Sequence, residues 1–246
     1  MDEVVLRAVE RAVDTMKKNL GDRLTIDDLA RSAMFSKFHF TRVFQRVTGV
    51  SPGRFLSAMR LDEAKRLLVS TSLTVADISH QVGYNSVGTF SSRFRSSVGV
   101  SPTTYRQLGG ATSHVPTHTA DVAPNGTTVR GNVLAPPGSA LGPIFVGLFP
   151  GRILEAPAVR YTTLPEPGPY AVPDVPPGSW HLLAYCARRA AAGEIPAHVG
   201  ACGPIEIRPD ITARLADVHL RPLHVLDPPV LMALQEVRPA RAVAAS

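Results

Sequence analysis

The sequence predicts a two-domain protein, all-α in its N-terminal part and all-β in its C-terminal part. The whole net charge of +6 lies in residues 1–110, because residues 111–246 carry equal numbers of acidic and basic side chains. Of the 22 prolines, only Pro52 and Pro102 precede residue 111. Apolar residues recur at helical spacing in the first part and in short or alternating runs in the second. We therefore expect domains at 1–108 and 127–235, a linker at 109–126 and a tail at 236–246.

Composition excludes several classes of protein. The sequence contains no apolar run of the roughly 18 residues that a membrane span needs. The first residues, Met1-Asp2-Glu3, are acidic where a signal peptide would be basic. Two cysteines are too few for a disulfide scaffold. We expect a cytoplasmic protein that does not contact a membrane.

Four helices follow one another in the first 70 residues. The first carries an apolar stripe from Val4 to Met16 and ends near Gly21. A short helix over about 25–33 begins at Thr25, whose spacing to Asp28 predicts a capping box. A third helix begins after Ser36, and a long helix over about 52–69 comes next.

The same pattern then repeats. The segment Thr-Ile-Asp-Asp-Leu-Ala at 25–30 matches Thr-Val-Ala-Asp-Ile-Ser at 74–79, and Gly-Val-Ser-Pro at 49–52 recurs at 99–102. Each copy pairs a short helix with a second helix across a tight turn. We infer two helix-turn-helix units, at about 25–47 and 74–97, bridged by the helix 52–69 within a seven-helix domain.

The second helix of such a unit lies in the major groove of DNA. In the first unit, Phe40, Val43 and Phe44 mark the inward face, so the other face is available to DNA. Arg42 can form a bidentate contact with guanine, and Phe38 can meet a thymine methyl group. The DNA-binding residues that we expect in this unit are Ser36, Lys37, Phe38, Thr41, Arg42, Gln45 and Arg46.

The second unit has a different chemical character. Its expected DNA-binding residues are Asn85, Ser86, Val87, Gly88, Thr89, Ser91, Ser92 and Arg93. Because Ser92 stands where the first unit has Arg42, this unit lacks the strongest bidentate reader. We expect it to position the protein on phosphates and on bendable DNA more than to read bases. Candidate phosphate contacts are Arg54, Arg95 and Arg106.

Three stretches of the front half carry a recognisable pattern: Ser36 to Phe44, Val82-Gly83-Tyr84-Asn85-Ser86 leading to Phe90 and Phe94, and the closing stretch Gly99 to Arg106. Through them, residues 5–108 resemble the AraC family of bacterial transcription regulators. The resemblance implies an activator or repressor of transcription whose partners are double-stranded DNA and RNA polymerase. In many relatives the sensing domain precedes the DNA-binding part, whereas here it would follow, so no effector site is carried over.

The rear half favours a β-sandwich of about seven strands. Six segments carry the strand pattern: 127–134, 143–149, 170–172, 180–186, 203–207 and 216–220. Their order and their Gly and Pro turns are similar to the prealbumin-like sandwiches of carboxypeptidase regulatory domains. That similarity implies a structural or binding module rather than an enzyme.

Cys186, Cys202, His181 and His198 are the candidate reactive groups of the rear half. The sequence has no paired Cys-x-x-Cys motif, so it favours a buried thiol at Cys186 over two other hypotheses, a metal site and a reversible disulfide. Some DNA repair methyltransferases resemble this family and use a nucleophilic cysteine, but Cys186 lacks the Pro-Cys-His-Arg setting of that chemistry. We expect no catalytic residue, no metal and no cofactor.

Two roles for the C-terminal domain stay open. It senses a small-molecule effector, with loops around Glu155, Glu166, Asp174 and His198 as a candidate pocket, or it holds a protein partner. In the second case the chain is a DNA-binding adaptor whose sandwich serves interaction or homodimerisation. Stabilisation by a metabolite distinguishes the sensor from the adaptor.

Overall fold

A computed structural model describes residues 2–110, 117, 126–139, 141–186, 197–210 and 212–234. Within them, helices precede strands, which confirms the predicted combination of an all-α and an all-β part. The helices are α1 (Glu3–Lys18), α2 (Ile26–Ser32), α3 (Lys37–Thr48), α4 (Pro52–Ser70), α5 (Val75–Gln81), α6 (Val87–Val98) and α7 (Pro102–Gln107). The strands are β1 (Thr128–Leu134), β2 (Ile144–Phe149), β3 (Arg160–Leu164), β4 (Pro169–Val172), β5 (Gly178–Cys186), β6 (His198–Ile207), β7 (Ala213–Leu215), β8 (Val218–His219) and β9 (Arg221–Pro222).

The two short helices α2 and α5 begin with the same capping box. Thr25 Oγ1 accepts a hydrogen bond from the Asp28 amide, and the Asp28 carboxylate accepts one from the Thr25 amide at 3.0 Å. Thr74 and Asp77 repeat the arrangement at the start of α5. Hydrogen bonds from the threonine lower the pKa of each aspartate. Amides that a helix start leaves unpaired are thereby satisfied in both units.

The second helix of each unit ends in the same way. Gly49 and Gly99 occupy the left-handed region, with φ of 79° and 99°, and cap α3 and α6. A proline at the first turn of α4 and of α7 follows, at Pro52 and Pro102. Glycine tolerates positive φ and proline fits a first helical turn, so the repeated Gly-Val-Ser-Pro stops one helix and starts the next.

A ladder of aromatic rings forms the centre of each unit. Phe40 contacts Phe44, which packs edge-on against Phe55 of α4 with ring centroids 5.3 Å apart. The second unit repeats the ladder with Phe90, Phe94 and Tyr105. Because α4 contributes side chains to this continuous core, it joins the two units.

The β part consists of two sheets with a shared apolar layer between them. One sheet has the order β3-β2-β5-β6-β9, with antiparallel neighbours throughout. In the other, β1 lies between β4 and β7 and also pairs with β8. Val129 and Val133 of β1 belong to one buried apolar cluster with Val146 and Leu148 of β2.

The larger sheet is covered on both faces. All six residues of β2 are buried, with Val146 towards the other sheet and Phe145 towards a second apolar cluster that includes Leu154 and Met232. Chain neighbours of that second cluster pack against the helices instead. Ile153, Leu226, Leu231 and Ala233 all belong to the helical core. The α and β parts therefore share buried surface.

The sequence underestimates the number of strands. β3, β7 and β9 are short or largely exposed and show no apolar alternation, so nothing marks them in the sequence. Most of the expected linker 109–126 and the tail 236–246 lie outside the described residues. Gly110 is described, and its amide donates to the Tyr105 carbonyl, so the start of the expected linker closes α7.

Candidate nucleic-acid interface

The first recognition helix, α3, presents most of its expected DNA-binding residues to solvent. Ser36, just before the helix, is exposed. Five expected side chains of the helix itself are exposed as well: Lys37, Phe38, Arg42, Gln45 and Arg46. Phe38 is 83 % exposed, which is unusual for an aromatic side chain. Thr41 is half-buried, and its hydroxyl donates to the Lys37 carbonyl at 2.9 Å. Thr41 is therefore less free to bond to a base than its neighbours.

In the second recognition helix, α6, the exposed surface is small and hydroxylic. Asn85, Ser86, Gly88, Thr89, Ser92 and Arg93 are exposed, while Val87 and Ser91 are half-buried. The Ser86 hydroxyl accepts from the Thr89 amide and so caps the helix. Arg93 corresponds to the buried Val43 of the first unit, yet its side chain reaches solvent. A cation therefore remains on this helix although Ser92 replaces Arg42.

The turn of each unit contains a left-handed residue a few positions before the recognition helix. In the second unit this is Gly83, at φ 83°, and in the first it is Met34, at φ 59°. Met34 is 77 % exposed and lies in the turn, four residues before Phe38. Met34 was not among the predicted DNA-binding residues, although its alignment with Gly83 in the repeat is a usable signal. Met34 and Phe38 are therefore two exposed apolar side chains near the start of α3.

The structure places the three candidate phosphate contacts differently. Arg95 is exposed on α6, as expected. Arg54 instead pairs with Glu155 of the β part, at 2.5 Å. Arg106 donates to the carbonyls of Leu68 and Leu73, at 2.9 and 2.6 Å. The guanidinium of Arg106 therefore ties α7 to the end of α4 and to the segment that follows it.

The electrostatic character of this surface is basic in both units. Lys37 lies 3.2 Å from Asp27, a solvent-exposed ion pair that leaves its charge weakly compensated. The sequence contains no acidic residue between Asp77 and Asp121. The surface formed by α3 and α6 can therefore attract a polyanion over a distance of about 10 Å at moderate salt.

One cavity among the described residues lies away from the loops that the sequence suggests. It measures about 950 Å³ and lies between α1, α4, the end of α7 and the segment 223–234. Of the expected pocket residues, Glu155, Glu166, Asp174 and His198, none lines it. Met59 and Asp62 of α4 line this space, as do Tyr185 and Val230 of the C-terminal part. Enclosure raises the pKa of Asp62, although its side chain keeps about half of its exposure and lies 3.7 Å from Lys65 Nζ.

No disulfide joins the two cysteines. Cys186 is buried at the end of β5 and donates to the Gly142 carbonyl, and burial raises the pKa of its thiol. In the register of the two strands, Cys186 faces His198 whereas Cys202 faces Leu182, so the expected alternative of a reversible disulfide does not fit. A protonated, buried thiol is a poor nucleophile. Among the described residues, no group of three or more His, Cys, Asp or Glu side chains can hold a metal.

No helix within the described parts of the chain has the length and apolar character needed to cross a membrane.

Residues 29–108 match the family model described as a helix-turn-helix domain. The chain is 36 % identical over 88 residues to the HTH-type transcriptional activator AarP of Providencia stuartii, an alignment covering 36 % of this chain and 65 % of that protein. It is 34 % identical over 92 residues to the transposon Tn10 TetD protein of Escherichia coli, covering 37 % and 67 %.

The chain thus spans about two thirds of the length of these two relatives, and 28–37 % of the length of other regulators that it matches. The match to the family model lies in its N-terminal part. Among solved structures, an AraC-type transcriptional regulator from Chromobacterium violaceum is 28 % identical, with coverage of 42 % of this chain and 93 % of that one, at a TM-score of 0.41. The repeated capping boxes, the paired Gly-Val-Ser-Pro stops and the family match agree. The chain therefore belongs to the AraC family, through a helix-turn-helix domain in its N-terminal part.

Proposed function

We propose that this protein is a sequence-specific transcription regulator that places α3 and α6 in adjacent major grooves of double-stranded DNA. The observation that carries the proposal is the exposure of the recognition-helix side chains in both units of one repeat. A helix whose apolar face is buried in the unit and whose opposite face is basic and polar suits a major groove. The relatives with related helix-turn-helix parts include a transcriptional activator.

The two units contribute differently to DNA recognition. Arg42 and Phe38 of α3 read base edges, with Lys37, Gln45 and Arg46 as further contacts of that helix. Thr89, Ser92 and Arg93 of α6 hold phosphates, because hydroxyl and guanidinium donors bind backbone oxygens without selecting a base. Arg95 joins them from the same helix. Arg54 and Arg106 have protein partners and contribute less to DNA binding.

Retention of DNA by the purified full-length chain tests the proposal. Genomic fragments that the protein retains would be sequenced at two salt concentrations. Retained fragments should share a motif, and overall affinity should fall steeply with salt because several phosphates are neutralised. Retention that is independent of both sequence and salt would contradict sequence-specific binding.

The C-terminal part serves as an effector-sensing domain in this proposal. The cavity of about 950 Å³ supports it, since it has the size of a small-molecule site and is lined by both parts of the chain. The adaptor function, in which the sandwich holds a protein partner or a second copy, is the alternative. Thermal-shift screening of the full chain with metabolites separates the two, because a ligand of the native state raises Tm.

The remaining aspects of the proposal follow from this role. RNA polymerase is the expected protein partner at promoters, and the site of action is the cytoplasm. No catalytic activity is required of the chain, and the protonated Cys186 thiol agrees with a structural role.

A further inference from the structure

One loop of the β part, residues 151–156, reaches both helix-turn-helix units; we call it the seam loop. Ile153 is 3 % exposed and packs in the helical core. The Arg152 side chain lies against Gly49, where an added Cβ would come within 2.4 Å of the Arg152 Cδ. The seam loop therefore packs directly on the end of the first recognition helix.

Glu155 of the seam loop connects the two units through one carboxylate. Its Oε1 accepts a hydrogen bond from Arg54 Nη2 at 2.5 Å, and its Oε2 accepts one from Ser97 Oγ at 3.0 Å. Arg54 lies in the first turn of α4, directly after the first unit, and Ser97 lies in the last turn of α6, the recognition helix of the second unit. The carboxylate is thus a bridge between the two units.

Backbone hydrogen bonds reinforce this bridge on the side of the second unit. The Ala156 amide donates to the Ser97 carbonyl at 2.7 Å, and the Ala233 amide donates to the Val98 carbonyl at 3.1 Å. These carbonyls belong to the last turn of α6, which a helix leaves without partners of its own. The end of the second recognition helix is therefore held by two segments of the β part.

Glu155 is partly buried, and its charge is paired. Its side chain is 28 % exposed, less than the 52 % of Arg54. A carboxylate close to the last turn of a helix is disfavoured by the helix dipole, and the guanidinium of Arg54 offsets this. An ion pair that also carries a hydrogen bond to Ser97 fixes three groups in one geometry.

We propose that Glu155 is a positioning residue through which the C-terminal domain sets the separation and rotation of the two recognition helices, so that operators are selected by the spacing of their two half-sites. The proposal rests on the proposed function as a DNA-binding regulator. The helix α4 connects the two units along the chain. Glu155 adds a second connection between them, through its hydrogen bonds to Arg54 and Ser97. Any ligand or partner that displaces the seam loop would then change spacing preference without touching a base-reading side chain.

The test uses the full-length protein and the DNA motif that it selects. Variant operators carry one or two base pairs added to or removed from between the half-sites, each step moving a half-site by about 3.4 Å and about a tenth of a turn. Affinity is measured for wild type, Glu155→Ala, Glu155→Gln and the control Glu206→Gln. Glu206 is a suitable control because it is an exposed carboxylate in β6, bonded to Ser179, far along the chain from the seam loop.

We expect wild type and Glu206→Gln to lose about tenfold in affinity for each one-base-pair change, the size of a typical mismatch penalty. For Glu155→Ala the loss should shrink to about threefold, because a looser pair of units adapts to either spacing. Glu155→Gln keeps one acceptor oxygen and should fall between the two. Arg54→Glu alone should weaken the spacing preference, because it places two carboxylates together. The double variant Arg54→Glu/Glu155→Arg, which exchanges the two charges, should restore that preference.

The ratio of affinities for correct and altered spacing is insensitive to a uniform loss of binding or of folded protein, so it separates positioning from stability. Unchanged ratios in Glu155→Ala and Glu155→Gln, with wild type binding its operator, would overturn the role of Glu155 and leave DNA binding intact. Wild type that binds no DNA would overturn the proposed function, and this inference with it.

Discussion

Arg42 has a counterpart in the repeat that tests its role. It is exposed on α3, and the matching position of α6 is the exposed Ser92. Removing a bidentate guanidinium contact costs about 1–3 kcal/mol and relaxes preference at one base pair. We therefore expect Arg42→Ala to lose discrimination among base-substituted operators and Ser92→Ala to lose much less. Binding assays on such operators give the answer, and a larger loss of discrimination with Ser92→Ala would reverse the assigned roles.

Met34 carries backbone strain that its counterpart avoids. A side chain in the left-handed region costs about 1–2 kcal/mol, part of which a glycine recovers. Since the Met34 side chain is largely exposed, Met34→Gly should raise the free energy of unfolding by about 1 kcal/mol.

Gly83→Ala is the matched change in the second unit. An added Cβ there would approach the Leu20 carbonyl oxygen to 2.5 Å, so this variant should be destabilised. Urea unfolding of the two full-length variants measures both effects. A lower stability of Met34→Gly would show that the methionine side chain makes a stabilising contact.

At the scale of single residues, the sequence predicts exposure better than partners. Helical spacing assigns Phe40 and Arg42 to opposite faces of α3, and the structure agrees. The same spacing carries no information on the ion pair of Arg54, whose partner Glu155 lies 101 residues away. Long-range contacts of this kind depend on the tertiary packing, which no local pattern encodes.

At the scale of elements, the capping boxes have a predictable response to substitution. Thr74→Ala removes the acceptor for the Asp77 amide and should lower stability by about 1 kcal/mol. Thr71→Ala is a control of the same chemistry outside the box, because its hydroxyl donates to the Leu67 carbonyl. If Thr74→Ala and Thr71→Ala lost equal stability, the capping box would contribute no more than an ordinary threonine hydrogen bond.

Acid should weaken both boxes. Hydrogen bonds from the threonines lower the pKa of Asp28 and Asp77 below the ordinary 3.8, so the folded state favours the ionised carboxylate. That stabilisation is complete above pH 3.8 and is lost as the pH falls through the lowered pKa. The stability difference between wild type and the double variant Asp28→Asn/Asp77→Asn should therefore narrow below pH 3.8, which denaturant titrations across pH detect. A difference that stays constant down to pH 2 would contradict the carboxylate's part in the cap.

Elements with strong local signals were predictable, and elements stabilised by neighbours were not. The helices carry caps, glycine stops and apolar stripes in their own sequence, so their approximate bounds follow from it. β7 is exposed along its whole length and exists because its backbone pairs with β1. Pairing of this kind is decided by the sheet, since β-propensity is context-dependent.

At the scale of the whole molecule, the shared core predicts coupled unfolding. Trp180 is the only tryptophan of the chain and lies in β5, so its fluorescence reports on the β part. Far-ultraviolet circular dichroism at 222 nm is dominated by the helices. Because Ile153 and Leu231 of the C-terminal part are buried in the helical core, both signals should change at one denaturant concentration. Ile153→Ala should lower that midpoint for both signals, and two well-separated midpoints in wild type would contradict the coupling.

The tandem arrangement makes the most direct prediction about DNA. Two recognition helices of one chain that read the same face of B-DNA enter major grooves about 34 Å apart, or the DNA bends to meet them. Hydroxyl-radical and guanine-N7 footprinting of the full-length protein on its selected operator measures this. One bound chain should protect two adjacent major-groove segments about one helical turn apart, without a palindrome. Protection of a single segment, or a strict requirement for an inverted repeat, would contradict the account.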